Sequence, residues 1–112
     1  PTLRSTRRQR QMCIRDRSYT AFEHLLEGEH PPEDWSASFQ ALWWDAKGNW
    51  EKAHAIAQDL GTLWGDWMHA YLHKKEGDLW NARYWYRTAG MPENKESLEQ
   101  EFTSLFNALL HE

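Results

Sequence analysis

The chain matches itself at an offset of 29 residues, and this constrains its fold more than any other feature. The stretch "ALWWDAKGNWEKAHAIAQDLG" (41–61) aligns with "AYLHKKEGDLWNARYWYRTAG" (70–90), pairing Ala41 with Ala70, Gly48 with Gly77, Ala53 with Ala82 and Gly61 with Gly90. Self-similarity at such a period marks stacked supersecondary units that cannot bury their apolar faces alone. In each copy, apolar residues recur at helical spacing on both sides of a Gly-Asn or Gly-Asp step. Each unit is therefore expected to be a helical hairpin, with copies over about 35–61 and 63–90. Two hairpins are generally too few to close a core, so the flanking segments are needed as caps.

Punctuation along the chain predicts six helices. The first lies near 20–27, with Thr20 and Glu23 as a capping box and Gly28 as its stop. A second starts at Pro32, a residue suited to the first helical position, with Glu33 and Asp34 against the positive end of the dipole. Trp35, Phe39, Leu42 and Ala46 continue it to Gly48. Asn49 caps a third helix over 50–60, Gly61-Thr62 leads into a fourth over about 63–76, and Asp78 caps a fifth over about 79–89. Beyond Gly90-Met91-Pro92, Leu98, Phe102, Leu105, Phe106 and Leu109 form the stripe of a last helix, about 95–111. No segment alternates with a strand period. The expected class is all-α, a stack of antiparallel helical hairpins with flanking capping helices.

The second copy resembles a tetratricopeptide-type repeat. "EGDLWNARYWYRTA" has the Gly-Asp turn, the small Ala82, the aromatic Tyr86 and the closing Ala89 at that family's spacing. The likeness spans about 60 residues and is weaker in the first copy, where Ala57 stands in place of the aromatic. It implies a right-handed stack of hairpins serving as an interaction or scaffold module. The run "HAYLHKKEGDLWNARYWYRTAG" is also similar to a group of small bacterial proteins, a resemblance that carries no activity with it.

The first 17 residues differ in character from the rest. "PTLRSTRRQRQMCIRDRSY" opens without Met, and six of the 13 Lys+Arg fall within residues 1–17. "RQMCIRDR" resembles the conceptual translation of sequencing-adapter DNA, so residues 1–17 are read as artefactual or as a disordered basic arm. Residues 18–112, read as a single domain, then keep seven Lys+Arg against 16 Asp+Glu. Such an acidic body lacks the clustered cations that displace counterions from phosphates, so nucleic acid is not expected as a partner. The only cysteine, Cys13, is in the set-aside segment, which leaves the body without a disulfide or thiolate ligand. No apolar run approaches a membrane span, and the expected setting is cytoplasmic. All eight Trp lie between Trp35 and Trp85, giving a small domain large aromatic surfaces to bury.

One constellation carries possible chemistry. On the fourth helix Asp66, His69, His73 and Glu76 share a stripe, because spacings of three and four return to one face. Trp64, Trp67, Met68, Tyr71 and Leu72 occupy the opposite side. Hydrophobic periodicity buries the tryptophans and exposes the histidines, whereas the repeat register turns Asp66, His69, Ala70 and His73 toward partner helices. If buried, these polar groups need partners. They form a hydrogen-bonded polar cluster or a metal site in which His69, His73 and Glu76, with His54 from the third helix, hold zinc, nickel or iron(II). The hydrolase pattern H-E-x-x-H is absent, and hydrogen-bonded packing is the commoner use of such histidines.

A second constellation suggests contact with a partner. Trp67, Tyr71 and Lys74 with Trp80, Tyr84 and Arg87 form a candidate binding surface of the aromatic and Arg type that dominates interface energetics. There is no Gly-x-Ser-x-Gly, no phosphate loop and no histidine at a nucleophile's usual spacing. The sequence therefore favours an interaction module for a protein or peptide, including a second copy of the chain, with no cofactor and no evident catalysis. A metal-dependent protein is the alternative.

Overall fold

The computed structural model describes residues 18–111. The adapter-like or basic arm expected over residues 1–17 lies outside the described residues. These residues form two units that divide between Pro31 and Pro32. All elements in both are helical, and none is long and apolar enough to cross a membrane.

The first unit contains α1 (Ser18–Leu25). Its start lies two residues before Thr20, so Thr20 is inside the helix and the expected Thr20–Glu23 capping box does not form there. The helix then unwinds through turn bonds from Glu27 N to His24 O and from Gly28 N to Leu25 O. Gly28 is not left-handed.

The second unit holds α2 (Ala37–Ala46), α3 (Trp50–Leu60), α4 (Leu63–Lys75), α5 (Leu79–Thr88) and α6 (Leu98–Leu109). The α2 start corrects the expectation at Pro32. Residues 32–35 make a turn closed by Trp35 N on Pro32 O, and the helix begins after Ser36, whose hydroxyl accepts from Phe39 N. Pro32 fits a turn as readily as a helix start, and the nearby serine supplies the stronger cap. The last helix is likewise shorter than the expected 95–111. Ser97 and Gln100 form a reciprocal capping box that fixes its first turn at Leu98.

The offset of 29 is reproduced in the backbone. Gly48 and Gly77 have φ of 88° and 91°, where a side chain would be strained. The cap that follows takes nearly the same angles in both copies, −102° and 81° at Asn49 and −94° and 78° at Asp78. Each turn returns the chain along the helix it has just left, and α2 packs on α3 as α4 packs on α5. Ala41, Ala53, Ala70 and Ala82 are all buried at these contacts, and their small size lets the helix axes approach.

The two readings of α4 are reconciled by its position. It packs against α3, α5, α2 and α6, and Met68, His69, Ala70, Tyr71 and Leu72 are all buried in succession. A helix enclosed on several sides has no single solvent stripe, so its periodicity is a poor guide to its exposure. Phe106 of α6 meets Phe39 of α2 edge to face at 5.6 Å, and Leu105 and Leu109 complete that side of the core.

Candidate metal centre

The α3–α4 pair sets the geometry of the histidines. Gly65 lies against the last turn of α3, where an added Cβ would come 2.6 Å from Leu60 Cβ and 2.8 Å from Ala57 O. Further along α4 His69 meets His54, and beyond that Trp50 reaches His73 and donates its indole N–H to Leu72 O at 2.8 Å. Positions fall on α3 as they rise on α4, so the two helices run antiparallel. In this register His54 is level with His69 and His73. Asp66 is nearer the tight turn, and the structure does not bring it into the histidine cluster.

The three imidazoles converge. Their ring centroids are separated by 4.5 Å (His54–His69), 4.9 Å (His69–His73) and 5.2 Å (His54–His73). One ring nitrogen from each lies within 4.8 Å of the others. Tryptophans stack on two of the rings. Trp50 stacks on His54 at 4.7 Å, and Trp85 from α5 stacks on His69 at 4.0 Å. Neither tryptophan was singled out from the sequence for this role. Trp50 is one turn before His54, a local signal that could have found it, but Trp85 reaches His69 only through tertiary packing.

Each histidine has a distinct environment. His69 is 4% exposed, and its Nδ1 is the one buried side-chain polar atom without a hydrogen-bond partner among the described residues. Burial, followed by the neighbouring His54 and His73, pushes the His69 imidazolium down to about 4. His54 is also lowered, mainly by burial and then by His73, with Glu76 acting in the opposite sense. His73 Nδ1 lies 2.8 Å from Glu76 Oε2. With Nδ1–H donating to that carboxylate, Nε2 keeps the lone pair a metal would take, an arrangement typical of the outer shell of metal sites.

Glu76 and Asp78 also form a set with His73. Asp78 is already used structurally: its carboxylate accepts from Asn81 N at 3.2 Å and from Asn81 Nδ2 at 2.7 Å, capping α5. Those bonds, the side-chain one first, hold its carboxyl below the usual range.

The residues present fit a divalent transition metal. Neutral imidazoles are the required ligand form, and burial keeps His54 and His69 neutral. A tetrahedral ion with bonds of about 2.0–2.1 Å needs nitrogens roughly 3.3 Å apart. From their widest present spacing of 4.8 Å the nitrogens would have to close by about 1.5 Å to reach that arrangement.

The candidate binding surface is only partly exposed. Tyr71 is buried and donates to Asp45 Oδ2 at 3.2 Å, because α2 packs over that side of α4. Trp67 donates its indole N–H to Glu101 Oε2 at 3.0 Å, and Lys74 reaches Glu101 Oε1 at 2.8 Å. These three residues turn inward to meet buried acids on α2 and α6, a correction to their expected exposure. Trp80, Tyr84 and Arg87 remain exposed on α5, with Trp80 75% accessible.

Comparison with known families, curated proteins and solved structures finds no match to this chain.

Proposed function

We propose that this chain binds one divalent transition-metal ion through His54, His69 and His73, with Glu76 orienting His73. The supporting observation is the convergence of three ring nitrogens to within 4.8 Å, beside a buried His69 Nδ1 that has no hydrogen-bond partner. A buried nitrogen left in that condition costs about 1–3 kcal/mol, and coordination offsets the loss. Zinc is the first choice, because its filled d shell imposes no geometry of its own; nickel and iron(II) suit the same ligands. Calorimetric titration with zinc is expected to give one ion per chain, with binding lost in His69→Ala and in His73→Ala. Glu76→Gln is expected to weaken binding about 10- to 100-fold. Retention of full affinity by either histidine variant would sink the proposal.

A second reading, the interaction module, is favoured by the adjacent exposure of Leu79, Trp80 and Tyr84 on α5, with Arg87 one turn on. A protein or peptide, including a second copy of the chain, is the partner this surface suits, in the cytoplasmic setting expected from the sequence. The resemblance to tetratricopeptide repeats belongs to the same reading. Sedimentation velocity tests the self-association case: dimerisation removed by Trp80→Ser supports it, and a concentration-independent monomer rules it out.

A further inference from the structure

Structural zinc sites close all four positions with protein, whereas sites that do chemistry keep one position for water or substrate. The histidine cluster has the second character. Its converging set contains three imidazoles and, among the described residues, no fourth histidine, cysteine or carboxylate. The Glu76 carboxylate sits beside the set through Oε2, 2.8 Å from His73 Nδ1. The cluster is also not enclosed: His54 is half-buried, the His73 side chain is 12% exposed, and the Glu76 side chain is 40% exposed. The Trp50 and Trp85 rings cover His54 and His69, so the His73–Glu76 edge is the approach from solvent.

Building on the metal reading above, we infer that the centre is open, with a fourth position that exchanges water for small anionic ligands such as a carboxylate, bicarbonate or azide. An ion with three neutral imidazoles keeps its full positive charge. It therefore attracts an anion and lowers the proton affinity of a bound water. Glu76 directs its Oε2 to His73 Nδ1 and serves as a positioning residue.

Cobalt(II) in place of zinc gives visible bands that report coordination, and the full chain carrying Cys13→Ser removes the only thiol. Cobalt bands that fail to form, or that survive in His69→Ala, would remove the metal reading itself. If the bands form and depend on His69, azide is then titrated in. A saturable shift of the bands at one azide per cobalt is the expected result. Bands that azide leaves unchanged would overturn the open site while leaving the metal reading intact. A response gained only in Glu76→Gln would also overturn it, by identifying Glu76 as the fourth ligand.

Discussion

Glu101 illustrates how closely the polar groups inside this protein are matched. It is fully buried on α6, and its carboxylate accepts from Lys74 Nζ at 2.8 Å, Trp67 Nε1 at 3.0 Å and Tyr86 Oη at 2.6 Å. Lys74 also donates to the carbonyl oxygen of Glu96 at 2.7 Å. Burial and then the bond to Glu101 raise the Tyr86 phenol well above its ordinary value, so it acts only as a donor. Removing one ion of a buried pair strands the other, and Lys74→Met is expected to cost about 3–5 kcal/mol. The double variant Lys74→Met/Glu101→Gln should recover part of this, since the amide oxygen still accepts from Trp67 and Tyr86 with no charge stranded. Urea unfolding of the two variants beside the wild type measures the difference. A Lys74→Met midpoint equal to wild type would show that solvent reaches Glu101. From the sequence, Trp67 fits both a buried stripe and a binding surface and Lys74 reads as a surface residue, because nothing local shows that the acid they meet lies about 30 positions further on.

At the scale of elements, the α3–α4 contact combines a close approach at Gly65 with support of the histidine cluster. Gly65 differs from the glycines that stop helices: it lies inside α4, where the repeat pattern gives it no part. Its role is to let Leu60 and the Ala57 carbonyl approach. Alanine is the better helix former by about 1 kcal/mol, so a purely local view predicts that Gly65→Ala stabilises. Contacts of 2.6 and 2.8 Å to a Cβ and a backbone oxygen predict the reverse, a net loss of about 1–3 kcal/mol as the helices are forced apart. The same displacement moves His69 away from His54, so zinc affinity should fall with stability, by about tenfold. Thermal unfolding and zinc titration of the one variant test both effects. A variant more stable than wild type would mean that the helices separate at little cost.

For the molecule as a whole, the histidines make stability depend on pH and on metal. In the metal-free protein well above pH 6.5, at about pH 8, His69 is neutral both folded and unfolded and contributes no pH dependence. As pH falls below its ordinary value of 6.5 the unfolded chain takes up the proton first, and stability is lost until about pH 4, where folded His69 also protonates. The shift corresponds to roughly 3 kcal/mol, and the lowered His54 acts in the same direction. Urea midpoints at pH 7.5, 6 and 5 should fall more steeply in wild type than in His69→Phe. Equal slopes would mean that the His69 ring is solvated. Zinc at 100 times its dissociation constant should add about 2.7 kcal/mol near neutral pH, and less as the histidines protonate.

The sequence by itself determined the helical class and the turn chemistry that recurs at an offset of 29. Those features rest on neighbours in the chain: a glycine at positive φ followed by an Asn or Asp cap, and alanines at matched positions. It also grouped His69, His73 and Glu76, because a helix returns to the same face every three or four residues. Tertiary structure alone decided which side of α4 is covered, since burial there comes from α2, α3, α5 and α6 together. It also separated Asp66 from the cluster, set Trp85 against His69, and drew Tyr71 and Lys74 inward to Asp45 and Glu101. Each of those outcomes depends on the register between helices, which is set by side-chain volumes and close approaches such as that at Gly65.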